Sequence, residues 1–389
     1  MPPDTVPKPA SVSCATVPAV ERFDAIVVGG GAMGTAAARE IANRGRHTLV
    51  LERFTFGHAN GSSGGPTRIF RYAYHRADYV RLAMSALEAW RELEDASGQT
   101  LLQITGGLEI GPQALERASL LETAGAPVER LRGAAAGERW PALHMPPDAD
   151  VMFQPNGGVV HAAPAVSAQA ALAREAGATL IEETMVREVT PHGDEVRVHT
   201  ESGEAFVAPV AIVAAGAWAG PLLDRAGIHV PLRPTLEQST YFRLGGDATL
   251  PTVIDWLEDA AHPPYLVPDP WEPGSFKVGL HKAGPPTDPE ARTFEPDPVR
   301  VDRVVEYVTA HVPDARPTGR TDTCLYTLTP DEDFVLDRVG PIVVASPCSG
   351  HGFKFVPLFG RALADLATGA PTAFDRSAFR VARPGLASR

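Results

Sequence analysis

The stretch Phe23–Glu52, FDAIVVGGGAMGTAAAREIANRGRHTLVLE, constrains the fold more than any other part of the chain. Ala25–Val28 is a short apolar run that leads straight into glycines, the pattern of a strand buried on both faces. Gly29-x-Gly31-x-x-Gly34 follows, then an alanine-rich segment of good helix formers to about Arg44, stopped at Gly45. His47–Leu51 is a second β-type run, closed by Glu52. Gly29 permits a tight turn, Gly31 lets the backbone approach a pyrophosphate, and Gly34 lets the helix pack close to the strand. The helix N-terminus, with Ala32 and Met33 in its first turn, offers unpaired N–H groups and the positive end of its dipole to phosphates. An acid about 20 residues on can accept hydrogen bonds from a ribose, and Glu52 stands there. Strand, helix, strand and acid in this order predict a dinucleotide site. The motif alone does not choose between NAD and FAD; its N-terminal position and the rest of the chain favour FAD.

A chain of 389 residues can bury a large core and is expected to form two domains. Its 44% hydrophobic and 21% charged content are those of a soluble globular protein. A net charge of -12 argues against a nucleic-acid or anionic-membrane surface, and no apolar run approaches the ~20 residues that span a bilayer. Residues 1–21 are rich in Pro, Ser, Thr and Val, without a basic region followed by an apolar one, so they read as a disordered tail. Cys14, Cys324 and Cys348 are too few and too scattered for a disulfide framework or a CxxC metal site. A cytoplasmic protein without a metal is expected.

After Glu52 the segment Arg53–Arg71 reads as a long loop of Gly, Ser and Pro that ends in Arg68 and Arg71. Arginines here suit a cofactor phosphate or the planar carboxylate of a substrate. Tyr79–Ala96 carries apolar residues at helical spacing. Ala114–Ala124 and Pro127–Gly137 read as helical or mixed, Pro164–Ala176 as a helix, and Val186–Val189 with Val196–Thr200 as a hairpin. Phe206–Ala214 reads as one buried strand ending in the turn Ala214-Ala215-Gly216-Ala217-Trp218. From Val230 the texture changes to alternating apolar positions and prolines, as in an antiparallel sheet. Lys277 and His281 lie an even number of residues apart on one predicted strand and so share a face. Asp375–Arg389 reads as a short element and a tail.

Four motifs, in order, resemble the monomeric sarcosine oxidase family of flavoproteins, which also holds N-methyltryptophan oxidase, pipecolate oxidase and the piperideine-carboxylate oxidase of nikkomycin biosynthesis. They are the glycine unit followed by NGSSGGPTRIFRYAY, the AAGAW turn, C-x-Y-T at Cys324, and SGHGFKF at Ser349–Phe355. The chain departs from the sarcosine pattern at Ser63 and Gly64, where two histidines usually stand, and it carries His351 where the nikkomycin enzyme has tryptophan.

The resemblance implies an α/β (α+β) fold with a Rossmann-like FAD-binding domain and an antiparallel β-sheet substrate domain, both discontinuous. The FAD-binding domain takes 22–85, 148–226 and 322–381, the substrate domain 86–147 and 227–321, and 382–389 is a tail. It places FAD against Gly29, Gly31, Ala32, Met33, Gly34, Glu52, Arg53, Ser62, Thr67, Arg68, Val186, Ala215, Gly216, Trp218, Tyr326, Gly350, His351, Gly352, Phe353 and Lys354. Cys324 carries the flavin through a thioether at its 8α methyl. Arg71 and Lys354 hold the substrate carboxylate, Tyr265 packs on its amine, His281 lines the pocket, and Lys277 serves the reaction with oxygen. The activity implied is oxidation of the carbon–nitrogen bond of a secondary or cyclic α-amino acid to an imine, with oxygen reduced to hydrogen peroxide, by a monomer. The alternative is a dehydrogenase on the same frame that passes electrons to a non-oxygen acceptor.

Overall fold

The computed structural model describes residues 21–245 and 249–386. The tail expected over 1–21, apart from Glu21, and Cys14 within it, lie outside the described residues. At the centre of a six-stranded sheet sits Ala25–Val28, all four residues buried, as an apolar run entering glycines requires. The strand order is Thr179–Ile181, Thr48–Leu51, Ala25–Val28, Ala211–Val213, Ile342–Ser346, Val335–Val339. All neighbours are parallel except the last pair. Ala25–Val28 is flanked on one side by the next strand in the chain and on the other by one nearly 190 residues later (211 − 25 = 186). Its carboxyl end is therefore the topological switch point, where open α/β sheets bind ligands.

The helix Ala32–Asn43 leaves that point and packs between the helices Ala162–Glu175 and Val356–Thr368. Close approach is enforced at Gly34, where a Cβ would stand 1.8 Å from the carbonyl oxygen of Gly29. Only a residue without a side chain fits there.

An eight-stranded sheet stands beside the first. Its order is Ala315–Leu328, Arg233–Leu244, Ser275–Leu280, Pro264–Pro268, Thr252–Asp255, Gly107–Ile110, Asp150–Gln154, Glu129–Arg132. It is antiparallel, as the alternating pattern after Val230 suggested, except that Thr252–Asp255 runs parallel to Gly107–Ile110. A four-stranded and a three-stranded sheet complete the fold.

The structure departs from the sequence reading in places, each for a physical reason. Phe206–Ala214 is two strands, Ala205–Ala208 and Ala211–Val213, in two different sheets. Pro209 between them has no N–H to donate to a ladder, so the pairing changes there. The Arg53–Arg71 loop gains a strand, Thr67–Phe70, paired with Gly158–His161. Pro127–Gly137 holds the edge strand Glu129–Arg132 as well as the start of the helix Gly133–Arg139. Asp150–Gln154, grouped by sequence with the nucleotide-binding part, is hydrogen-bonded into the eight-stranded sheet, and Ala315–Leu328 runs through the expected boundary at 321/322. Glu21 pairs with Phe206. The expected tail after 381 is anchored as far as it is described: Arg383 pairs with Asp331 at 2.7 Å, and Leu386 is buried in the core. Among the described residues no helix is long and apolar enough to cross a membrane.

Candidate active site

A cavity of about 550 Å³ opens at the switch point and runs along the eight-stranded sheet. Gly31, Ala32 and Met33 line one end; Arg71, Tyr265, His281 and Lys354 line the other, and Lys277, Cys324 and Tyr326 lie in the same space. A second cavity of about 230 Å³ is lined by Gly29, Glu52, Arg53, Val186, Ala215 and Trp218. The two share Gly31, Ser62 and Gly216 on their walls and form one continuous groove. Every residue that the sequence assigned to FAD or substrate lines one or the other, apart from Gly34, whose place is beneath the turn.

The groove's electrostatics suit an anionic dinucleotide. The helix that starts after Gly31 lines the cavity with its first turn, which holds no acid; Ser63 Oγ accepts from Ala32 N at 3.0 Å and the positive end of the dipole stands at the cavity wall. Four cations line the larger cavity without a carboxylate partner among the described residues: Arg68, Lys277, Arg292 and Lys354. Arg68 donates to the carbonyl oxygens of Ser62 and Thr67, which folds the Gly-Ser loop around it. Arg292 donates to Ala59 O at 3.1 Å and to Thr323 Oγ1 at 2.9 Å, tying that loop to the strand that carries Cys324. In a chain of net charge -12, this concentration of unpaired cations marks a site for negative charge.

Glu52 has two backbone donors, Gly30 N at 2.6 Å and Phe54 N at 2.9 Å. A carboxylate offers about four acceptor positions, so ribose hydroxyls still find room on it. Arg53 forms an ion pair with Glu290 and lies over Trp218 at 5.4 Å from the ring centre. Ser346 Oγ, on the wall of the larger cavity, is buried without a partner. At Gly350, φ is +77°, and a Cβ would meet the Tyr326 ring at 2.5 Å. The SGHGFKF turn thus needs its glycine to bring backbone into the groove. Open donors, cations and glycine cradle fit FAD.

Lys277 sits mid-strand, 7% exposed, and its Nζ donates to Thr67 O at 2.9 Å. Burial, helped by Arg68, pushes its pKa down to about 7. An unfolded lysine titrates near ~10.4, so between those values the unfolded chain binds the extra proton and stability rises with pH. Replacing Lys277 with Met should flatten the rise of the urea midpoint between about pH 7 and pH 10. An unchanged slope would show that Lys277 keeps its charge in the fold. His281 follows the last residue of the strand and still faces the cavity; burial holds its pKa well below the usual value.

The far end is built on a buried carboxylate the sequence reading missed. Glu109 is fully buried and accepts from Arg71 Nη1 at 3.3 Å, Arg117 Nη1 at 2.6 Å and Trp256 Nε1 at 3.0 Å. One charged residue in the apolar strand GLEI was the available signal. Lys354 Nζ donates to Tyr74 Oη at 2.9 Å and His351 O at 2.6 Å, and burial beside Arg71 holds its pKa well below the usual lysine value. A carboxylate bound between Arg71 and Lys354 would restore that charge. Tyr265 Oη lies 3.1 Å from Ser239 Oγ. Cys348 also lines the cavity, its Sγ accepting from Thr327 N at 3.3 Å.

Known proteins resemble the chain over most of its length. The model of the family described as FAD dependent oxidoreductase matches residues 24–366. Monomeric sarcosine oxidase of Bacillus sp. (strain B-0618) is 33% identical, over 94% of this chain and 97% of that protein. Peroxisomal sarcosine oxidase of Homo sapiens is 32% identical, over 93% and 96%. The solved structure of NikD, an unusual amino acid oxidase essential for nikkomycin biosynthesis, superposes with a TM-score of 0.85 at 31% identity, covering 93% of this chain and 98% of that one. The chain belongs to the FAD-dependent oxidoreductase family, within its monomeric sarcosine oxidase branch.

Proposed function

We propose that the protein is a FAD-dependent oxidase of a secondary or cyclic α-amino acid, working as a monomer in the cytoplasm and holding its flavin covalently at Cys324. The observation that carries this reading is that Lys277, Cys324, Arg71 and Lys354, spread over nearly 300 residues (354 − 71 = 283), face one cavity continuous with the dinucleotide turn. The six-stranded sheet serves FAD, and the eight-stranded sheet supplies the substrate's walls.

FAD, when bound, accepts the hydride equivalent from the substrate's carbon–nitrogen bond and hands the electrons to oxygen, giving an imine and hydrogen peroxide. The protein's part is binding and electrostatics. Arg71 and Lys354 take the carboxylate, and Glu109 holds the Arg71 guanidinium in place. These cations lower the pKa of the bound ammonium, so that the oxidisable free amine is populated. Tyr265 and His281 face the amine.

Anaerobic addition of a secondary amino acid should bleach the flavin absorbance. In Arg71→Ala the concentration needed for half-bleaching should rise by roughly 100-fold, the typical effect of removing one partner of a buried charged hydrogen bond. Bleaching at unchanged concentration would remove Arg71 from the carboxylate site. No bleaching of the unaltered protein by any secondary amino acid would overturn the reading.

A further inference from the structure

Beyond the carboxylate clamp lies a wall that the reaction itself does not need. Trp256 follows the strand Thr252–Asp255 and lines the cavity with Ile69, Ile254 and Val267. The residue is fixed by three contacts, two of them to its indole. Its backbone N donates to Ile110 O at 2.9 Å, its Nε1 donates to Glu109 Oε2 at 3.0 Å, and the Arg117 guanidinium covers one ring face at 3.9 Å. Trp256 also lines the cavity, where a ligand can meet it. Glu109 also binds Arg71, so the indole and the guanidinium flank one carboxylate and are neighbours. A substrate with its carboxylate on Arg71 therefore brings its α-carbon substituent to a rigid aromatic wall.

We propose that the substrate is a secondary α-amino acid with an apolar α-substituent, a ring or an alkyl chain, and that Trp256 selects it. The proposal rests on the oxidase reading above and narrows it. Sarcosine has only hydrogen at that position and leaves the indole, Ile69 and Ile254 uncovered. One methylene group against an apolar wall is worth about 10- to 200-fold in kcat/KM. An aromatic face adds to this when it is held in a fixed orientation.

The test compares N-methyl-L-leucine with sarcosine as substrates of the holoenzyme. The unaltered enzyme should favour N-methyl-L-leucine by roughly 10-fold or more. Trp256→Ala should bring the ratio toward one, and Trp256→Phe should keep most of it. A binding readout independent of turnover is the shift of flavin absorbance on titration with cyclohexanecarboxylate and with acetate. The tighter binding of the ring acid should be lost in Trp256→Ala and largely kept in Trp256→Phe. Equal kcat/KM for both amino acids in the unaltered enzyme, or a preference unmoved by Trp256→Ala, overturns this inference and leaves the oxidase reading standing. Oxidation of neither amino acid overturns this inference, and the oxidase reading falls with it only when no other secondary or cyclic amino acid bleaches the flavin. Should Trp256→Ala fail to fold, the ratio in the unaltered enzyme and in Trp256→Phe decides the matter.

Discussion

Acid precipitation of the purified protein should give a yellow pellet, and Cys324→Ala should give a colourless pellet with all its flavin in the supernatant. Cys324 lies on the long strand Ala315–Leu328, opposite Glu237, and faces the cavity. Burial pushes the thiol's pKa up, while Arg68, Lys277 and Arg292 oppose that push. Because the thiolate is the nucleophile, those cations favour bond formation, and attachment should be faster as pH rises. The control is Cys348→Ala. Cys348 lines the same cavity, but its sulfur accepts a hydrogen bond from Thr327 N. That variant should keep its yellow pellet. A colourless pellet from the unaltered protein would end the covalent role of Cys324. A pellet that loses its colour in Cys348→Ala alone would move the attachment point.

How much of this was legible in the sequence depended on how local the physics is. The unit from Ala25 to Glu52 could be read at once, because strand, turn, helix and acid are adjacent and each has its own residue chemistry. Lys277 and His281 were readable through strand alternation, although His281 stands one residue past the strand's end. Pro209 was a visible strand breaker inside Phe206–Ala214, and the two flanking pieces join different sheets. Glu109, Arg117 and Trp256 were out of reach. Arg117 reaches Glu109 from the next helix, but Trp256 joins them only because Gly107–Ile110 pairs in parallel with Thr252–Asp255 across 145 residues (252 − 107 = 145), and no local pattern encodes that pairing. Arg292 was hidden for the same reason: its partners, Ala59 and Thr323, lie in separate parts of the chain. Residues inside a local motif were legible; those that join the site only through distant pairing, such as Trp256 and Arg292, were not.

Lys277→Met should slow the reaction with oxygen by roughly 10²- to 10³-fold, the usual effect of removing one preorganised group from developing negative charge. Anaerobic reduction by substrate should change by less than about 10-fold, since Lys277 carries no part of the carboxylate clamp. Methionine is close to lysine in length and is apolar, so it can fill the buried site on Ser275–Leu280 and isolates the charge from the packing. Among the described residues one hydrogen bond, to Thr67 O, holds the amine, which leaves two protons of the ammonium form for charge arriving in the cavity. With the pKa of Lys277 pushed down to about 7, the oxygen step in the unaltered enzyme should weaken as pH rises through that value. In Lys277→Met the step should be slow and flat with pH. Stopped-flow measurement of the two half-reactions separates the outcomes. Equal losses in both would make Lys277 a general structural residue. An undiminished oxygen step would deny it the role and leave the cation unexplained. Substrate reduction with no peroxide from the unaltered enzyme would favour the dehydrogenase alternative, in which a buried amine of this kind has no oxygen to serve.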